Sequence, residues 1–208
     1  MADQNRIPDP SLSRLAGIYR VLLDAAADGV THLNSLQLQD LSGIGAAQIR
    51  KDLSHIGVLG RSGVGYEVST LLTHVADKLN LSRTQRFALV GAGRLGQALA
   101  AYPGVSEYSF ELAAAFDSDP QKVGTPINGT VIEHVSELAK ILAKRGIRIV
   151  VIAVPASAAQ SIVDVAVSGG ARWFLNFSPA HVQVPEDCMV RNVSFTHEFA
   201  VLAHYLEN

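Results

Sequence analysis

A glycine-rich loop is the first segment whose residues are suited to a defined chemistry. Gly91-Ala92-Gly93-Arg94-Leu95-Gly96 directly follows the apolar run 87–90 and precedes a helical pattern. In this strand-turn-helix context, Gly91 permits the tight turn, Gly93 lets a pyrophosphate approach the backbone, and Gly96 lets helix pack on strand. The helix start adds free N–H donors and a positive dipole end. We therefore predict a dinucleotide site at residues 91–96.

An acidic residue, Asp117, ends the next apolar run, twenty-one residues after Gly96. A carboxylate at this place accepts hydrogen bonds from the hydroxyls of an adenosine ribose. It would repel a ribose 2′-phosphate, and no Lys or Arg follows before Lys122. The pattern therefore predicts NADH and NAD+ as ligands, in preference to NADP.

Two later apolar runs end in residues that are suited to the other half of the cleft. Ligands bind beyond the carboxyl ends of parallel strands. We accordingly predict that the nicotinamide half is lined by Val154, Pro155, Asn176 and Phe177.

Catalytic and metal-binding patterns are not evident in the sequence. Hydride transfer needs a proton donor or acceptor near the nicotinamide, yet the seven histidines show no motif. His181 and His197 are the two that flank the ends of strands. The single cysteine, Cys188, excludes an intrachain disulfide and a four-ligand thiolate zinc site. We predict no enzyme, no catalytic residue and no metal.

A second candidate site is a local concentration of positive charge. Residues 42–66 contain three basic residues and one acid, a net charge of +2, whereas residues 1–80 contain seven basic and eight acidic residues, or −1. Gln48 is suited to pair with adenine, and Arg50 or Lys51 with guanine or phosphate. Arg61 is placed to reach the DNA backbone or minor groove. Ser13 and Arg14 complete the predicted DNA contacts.

Composition limits the function classes. The chain has 208 residues, 48% hydrophobic and 17% charged, so it can bury a core. Its net charge of −2 does not itself indicate a nucleic-acid partner. It lacks both a run of about eighteen uncharged apolar residues and a signal-peptide core, which predicts a cytoplasmic protein with no membrane partner.

The chain has two different sequence patterns, which together predict an α/β protein with an all-α N-terminal part. Residues 1–81 read as a winged helix-turn-helix domain, with helices over 10–27, 35–41 and 46–56, a hairpin wing over 57–66 and a helix over 67–81. Residues 82–193 read as a Rossmann-like parallel sheet, and residues 194–208 as a C-terminal helix. The predicted strands are 87–90, 110–116, 147–154, 173–177 and 189–193, and the predicted helices between them are 95–101, 136–144 and 156–168.

These motifs together resemble the Rex family of redox-sensing transcriptional repressors, over nearly the full length. The matching segments are 48–54 (QIRKDLS), 63–66 (GVGY), 91–96, 102–104 (YPG), 116–124 (FDSDPQKVG) and 176–179 (NFSP). The resemblance implies a homodimer that binds double-stranded, palindromic operator DNA and leaves it when NADH binds. It also implies that the C-terminal helix is swapped between subunits and that Phe195 covers the partner's nicotinamide pocket.

The resemblance further implies a sensing network of three positions. An arginine on the first helix matches Arg20, and a tyrosine matches Tyr102. The third position is acidic in the family and is Ser194 here, so it cannot form a salt bridge with Arg20. The wing also departs from the family, because Arg61 is followed by Ser62 where two basic residues are frequent.

Two other functions remain open at this point. One is a small NAD-dependent oxidoreductase whose N-terminal helices form a dimerisation domain, and the other is a nucleotide- or CoA-binding interaction module without DNA affinity. Steady turnover of NADH with a metabolite would favour the enzyme. Loss of DNA affinity on exchanging Arg50 and Lys51 for Glu would favour the DNA-binding reading.

Overall fold

The computed structural model describes residues 7–207 of the chain. The chain divides into two compact units, Met1–Arg83 and Thr84–Asn208. No helix within the described residues is both long enough and apolar enough to cross a membrane.

From residue 7 onward, where the structure describes it, the first unit contains four helices and a two-stranded sheet. Its elements are α1 (Asp9–Ala27), β1 (His32–Leu33), α2 (Ser35–Ser42), α3 (Ala46–His55), β2 (Tyr66–Glu67) and α4 (Val68–Lys78). The apolar residues that recur at helical spacing along α1 are buried in the core of this unit, as the periodicity predicts; α1 packs against α2 and α4, and α2 packs against α3. Members of this core with no solvent exposure include Leu15, Ile18, Leu22, Ile49 and Leu53.

Local sequence defines the helix-turn-helix. Asn34 begins α2 with a capping box, in which its side chain accepts from the backbone of Gln37 and the Gln37 side chain accepts from the backbone of Asn34. Gly43 ends α2 with a positive φ of 72°, a conformation that glycine adopts without steric cost. The chain can therefore turn within three residues and begin α3 at Ala46.

The wing differs from the hairpin predicted over residues 57–66. Over residues 57–65 only a single bridge forms, between Arg61 and Gly65. Tyr66–Glu67 pairs instead with His32–Leu33, a short strand that was not predicted from the sequence. Gly65 permits this approach, because a Cβ there would lie 2.6 Å from the carbonyl oxygen of Leu33.

The described part of the second unit, residues 84–207, contains seven strands and five α-helices. Its strands are β3 (Gln85–Val90), β4 (Phe110–Asp117), β5 (Pro126–Ile127), β6 (Thr130–His134), β7 (Ile149–Ile152), β8 (Trp173–Asn176) and β9 (Met189–Asn192). Its helices are α5 (Arg94–Ala100), α6 (Gly104–Glu107), α7 (Leu138–Arg145), α8 (Ala156–Ser168) and α9 (Phe195–Ala203). Short 3-10 turns lie at Val135–Glu137 and His204–Glu207.

The seven strands form one sheet in the order β5-β6-β4-β3-β7-β8-β9. All neighbours run parallel except β5, which is antiparallel to β6. The five predicted strands and the parallel order are confirmed, whereas β5, β6 and α6 were missed. Sequence order reverses at β3, whose neighbours are β4 and β7, and the crevice at such a switch point is where these sheets bind ligands.

Helices cover the two faces of this sheet unequally. One core lies between the sheet and the helices α7 and α8, and a smaller one lies on the opposite face over β3 and β4. On that second face the part formed by β7, β8 and β9 opens into an apolar cavity of about 430 Å³. Its lining includes Phe87, Leu99, Tyr102, Ile149, Val151, Trp173, Leu175, Phe177 and Met189.

Helix α9 has no buried residue. Every residue from 194 to 206 is exposed, including the apolar stripe of Phe195, Phe199, Leu202 and Leu206 that the sequence predicts. An apolar helix of this kind is expected to be covered by another surface.

Candidate functional site

The ends of three neighbouring strands meet at the glycine loop. The N–H of Gly91 donates to the carbonyl of Phe116 at 2.8 Å, and the N–H of Ala153 donates to the carbonyl of Val90 at 2.9 Å. The loop after β3 is therefore joined to the ends of β4 and β7 by the main chain. This places residues 91–96 at the switch point of the sheet.

The three glycines of the loop meet different surroundings. Gly91 has a φ of +99°, and a Cβ there would lie 2.4 Å from the carbonyl oxygen of Ala153. A Cβ at Gly96 would lie 1.9 Å from the carbonyl oxygen of Gly91. A Cβ at Gly93 would meet nothing within 4 Å, so this glycine leaves a space free in front of α5. The loop thus fits a pyrophosphate that approaches the backbone at Gly93.

Other loop residues divide between buried and exposed positions. Ala92 is buried, while Arg94 and Leu95 are exposed at the start of α5. Arg94 is therefore an exposed basic residue in the first turn of α5, where a phosphate would meet the helix start.

Asp117 is held at the end of β4 by three donors and is 8% exposed. Its Oδ2 accepts from the N–H of Ala92 at 2.8 Å and from Nζ of Lys122 at 3.1 Å, and its Oδ1 accepts from the N–H of Asp119 at 2.9 Å. Burial raises the pKa of Asp117, but the accepted hydrogen bonds outweigh burial and leave the pKa below its usual value. The acid is therefore ionised at neutral pH and tied directly to the glycine loop.

The residues predicted for the nicotinamide half lie after β7 and β8. Val154 is partly buried next to Gly91, and the exposed Pro155 precedes α8. Phe177 lines the apolar cavity. Asn176 is fully buried: its Nδ2 donates to Ala180 and Asn192, and its Oδ1 accepts from the N–H of Ser178. The Asn176 side chain is therefore engaged by the turn after β8 and by Asn192, and a ligand contact of this residue stays a prediction.

The outer face of α3 carries positive charge. Arg50 and Lys51 are exposed, whereas Ile49, Asp52 and Leu53 are buried. The Arg50 guanidinium donates to the hydroxyl of Ser35 at 2.7 Å, at the start of α2. Two adjacent cations therefore point away from the core.

Arg14 makes a contact that the sequence analysis did not predict. Its Nε and Nη2 donate to the two carboxylate oxygens of Asp52 at 2.5 and 2.9 Å, and Nη2 also donates to Ser11. Gln48 donates to the same carboxylate at 3.1 Å. Asp52 is 1% exposed, and the Arg14 guanidinium holds its pKa below the usual value against the opposing effect of burial.

This ion pair changes the interpretation of two predicted DNA contacts. Arg14 joins α1 to α3 through the buried Asp52, and Gln48 hydrogen-bonds to the same carboxylate within α3. The charge of Asp52 is also cancelled, which leaves Arg50, Lys51 and Arg61 uncompensated by it. Ser13 and Arg61 are exposed, and their contact with DNA stays a prediction.

The three positions of the predicted sensing network lie on separate elements. Arg20 of α1 forms an ion pair with Asp24, one turn along the same helix, at 2.8 Å. Tyr102 is exposed after α5 and lines the apolar cavity. Ser194 begins α9, where its hydroxyl accepts from the N–H of His197 at 3.2 Å. Phe195, the next residue, is 60% exposed.

Among residues 7–207, no three His, Cys, Asp or Glu side chains are grouped closely enough to hold a metal ion. The candidate sites of this structure are therefore the loop with Asp117 and the outer face of α3.

Two family models match the two parts of the chain. A putative DNA-binding protein N-terminus matches residues 6–54, and a CoA binding domain matches residues 82–180. The first contains the helix-turn-helix, and the second contains the glycine loop and Asp117.

Curated relatives match over almost the whole length. The redox-sensing transcriptional repressor Rex of Thermus thermophilus is 44% identical over 190 residues, which cover 91% of this chain and 89% of the relative. Rex of Syntrophobacter fumaroxidans is 40% identical over 202 residues, which cover 97% and 96%. These relatives are named as repressors, in agreement with the prediction that the chain is not an enzyme.

Solved structures of a Rex-family repressor called RSP have the same fold. The complex of RSP with β-NAD+ and operator DNA matches with a TM-score of 0.90 and 29% identity, covering 97% of this chain and 93% of RSP. The complex with β-NADH matches with a TM-score of 0.85 and 28% identity, covering 96% and 94%. The predicted fold class and the predicted family are both confirmed, and the chain belongs to the Rex family of redox-sensing transcriptional repressors.

Proposed function

We propose that this chain is a repressor that binds palindromic operator DNA as a homodimer and is released when NADH binds. One observation carries the proposal: a single chain of the Rex family has both an exposed basic face on α3 and a glycine loop that hydrogen-bonds to an ionised acid at the carboxyl end of β4. Its functional division is residues 1–81 for DNA, 82–193 for the dinucleotide and 194–208 for the partner subunit. Binding to operator DNA is consistent with the predicted cytoplasmic location.

In the proposed complex, the dinucleotide lies across the switch point of the sheet. The open space at Gly93 receives the pyrophosphate, near the start of α5 and Arg94. Asp117 accepts hydrogen bonds from the adenosine ribose. Val154, Pro155 and Phe177 line the nicotinamide half.

DNA binding uses the outer face of α3 as the recognition surface. Arg50 and Lys51 contact bases or phosphates in the major groove, and Arg61 reaches the backbone from the wing. The contacts of one subunit are few, so two subunits on a palindrome double the number of neutralised phosphates and steepen the salt dependence.

The homodimer is supported by two apolar surfaces of the second unit. One is the apolar cavity beside β7, β8 and β9, and the other is the apolar stripe that α9 exposes without burying any residue. Exposed apolar surfaces of this kind mark protein interfaces. We propose that α9 is swapped, so that each subunit covers apolar surface of the other.

The switch requires different affinities for the two redox forms, because a ligand that binds two conformations equally shifts nothing. The oxidised nicotinamide is cationic and the reduced one is neutral. An apolar side chain such as Phe195 from the partner closes more readily over a neutral ring, since burial of an unpaired positive charge is unfavourable. Coupling of about 1–3 kcal/mol is enough, because each 1.4 kcal/mol changes DNA affinity about tenfold.

Because position 194 is a serine, the proposed mechanism depends on the partner's Phe195 closing over the nicotinamide and not on an ion pair between Arg20 and residue 194. The Ser194 hydroxyl lies at the start of α9, whereas Arg20 forms an ion pair with Asp24 on its own helix. We propose that Arg20 and Tyr102 still take part in the conformational change, without a carboxylate at position 194.

Fluorescence anisotropy on a labelled, AT-rich palindrome tests the proposal directly. At fixed salt, NADH is expected to release the DNA and NAD+ to leave it bound. Equal release by both ligands would reject redox sensing, and steady oxidation of NADH by a metabolite would support the oxidoreductase instead.

The double variant Arg50→Glu, Lys51→Glu tests the recognition surface. Charge reversal on the outer face of α3 is expected to lower operator affinity on the order of 100-fold or more, with NADH affinity unchanged. The matched control is Lys78→Glu, Arg83→Glu, which makes the same charge change at exposed positions of the same unit. Equal loss of affinity in both double variants would reject the assignment of α3.

A further inference from the structure

The turn after β4 returns a lysine to the acid that ends the strand. The N–H of Asp119 donates to Asp117, the N–H of Gln121 donates to the Asp119 side chain, and the N–H of Lys122 donates to the Asp119 carbonyl. These bonds close the segment 117–122 into a compact turn. The Lys122 ammonium consequently lies 3.1 Å from Oδ2 of Asp117 and 3.7 Å from Oδ2 of Asp119.

The donors around Asp117 leave little room for a ribose diol. A carboxylate offers about four acceptor positions. Two on Oδ2 are taken by Ala92 and Lys122, and one on Oδ1 is taken by Asp119. The two backbone donors are fixed by the fold, whereas the lysine side chain is flexible and 35% exposed. A ribose that donates from two hydroxyls therefore displaces the Lys122 ammonium from Oδ2.

The displaced ammonium remains beside the ribose. Its charge opposes that of Asp117, so a phosphate on the ribose meets an ion pair rather than a lone anion. Such a phosphate carries a charge of about −1.5 to −2 near neutral pH and is a strong acceptor for an ammonium.

We infer that Lys122 is a latent partner for a ribose 2′-phosphate, restrained by Asp117, and that these two side chains together determine the choice between NADH and NADPH. The inference rests on the proposed function, because it concerns the ribose subsite of the same dinucleotide site. Asp117 repels the phosphate and Lys122 attracts it. Removal of either side chain accordingly moves the selectivity in the opposite direction from removal of the other.

A double-mutant cycle with Asp117→Asn and Lys122→Met tests the inference. Dissociation constants for NADH and NADPH are measured by isothermal titration calorimetry on all four proteins. Asp117→Asn is expected to tighten NADPH binding about tenfold, and the added Lys122→Met is expected to remove most of that gain. Lys122→Met alone is expected to change the NADH constant about threefold or less and to increase the preference for NADH.

Two controls separate this role from charge and folding effects. Lys140→Met removes the same charge at an exposed position of the same unit, and in the Asp117→Asn background it should leave NADPH binding unchanged. Thermal unfolding identifies variants that do not fold. If Lys122→Met does not fold, Lys122→Gln replaces it. In the Asp117→Asn background, Lys122→Arg should retain the tighter NADPH binding because it keeps the positive charge.

The outcomes distinguish failure of the inference from failure of the proposed function. Equal NADPH constants for Asp117→Asn with and without Lys122→Met would reject a role for Lys122. Failure of the unaltered chain to bind NADH would reject the proposed function. If the unaltered chain binds NADH but substitution of Lys122 does not change any NADPH dissociation constant, only the inference is rejected.

Discussion

Two buried aspartates, one in each unit, are both paired with a basic side chain, yet they differ in what holds them. Asp52 faces a guanidinium that contacts both carboxylate oxygens, and Gln48 adds a further bond. Asp117 faces two backbone N–H groups and a single flexible ammonium. The bidentate contact of Arg14 fixes the orientation of the Asp52 carboxylate, whereas the Lys122 ammonium can leave Asp117. Asp52 is therefore suited to support a helix, and Asp117 is suited to accept a ligand.

Substitution of Asp52 should show the larger effect on folding. Asp52→Asn removes the charge that pairs with Arg14 and is expected to lower the free energy of unfolding by about 3 kcal/mol. NADH affinity should not change, because the residue lies in the other unit. Chemical denaturation measures the loss, with Asp40→Asn on the exposed face of α2 as the control. A change within about 0.5 kcal/mol would show that the pair does not support α3.

Substitution of Asp117 should have the reverse profile. Asp117→Asn keeps the shape of the side chain but turns an amide NH2 group toward one of its donors, and it is expected to lower the free energy of unfolding by about 1–2 kcal/mol, less than Asp52→Asn. NADH affinity should fall about tenfold, because a charged acceptor for the ribose is lost. Calorimetric titration measures the affinity, with Asp164→Asn on α8 as the control. The comparison fails if Asp117→Asn lowers the free energy of unfolding as much as Asp52→Asn does, or if it leaves the free energy of NADH binding unchanged.

The pH dependence should show the smallest effect. Both acids have a pKa below the usual value in the folded chain, so each binds a proton less readily when folded. Their stabilisation is therefore complete above the ordinary aspartate value of about 3.9 and is lost as the pH falls through the lower folded value. Thermal unfolding between pH 7 and pH 3 should show that the deficit of Asp52→Asn shrinks below about pH 4. A deficit that is constant over this range would contradict the assignment of a charged Asp52.

The sequence predicts the sheet and the loop because their signals are local. The strand, turn and helix around Gly91 and Gly96 lie within residues 85–100, and each glycine has a steric reason that the structure confirms. The five predicted strands coincide with apolar runs in the sequence. By contrast, β5 has only two residues, and β6 has a single buried residue, Ile132, so neither strand shows a clear apolar alternation.

The features that sequence reasoning missed depend on contacts between side chains. Arg14 and Asp52 are 38 residues apart, so no spacing rule indicates their pairing. Lys122 is near Asp117 in sequence, but only the turn through Asp119 shows that the two side chains meet. A buried asparagine such as Asn176 is equally ambiguous, because a polar residue at a strand end can face either the ligand or its own turn.

The pairing of Arg14 with Asp52 also has a consequence for how operator preference can diverge. The orientation of α3 is anchored from its inner side, so the outward positions Ala47, Lys51 and Ser54 are not needed to hold the helix in place. New side chains at these three positions would be presented at an unchanged angle. A new operator preference can therefore evolve through substitutions on the outer face of α3, without changes to the residues that position this helix.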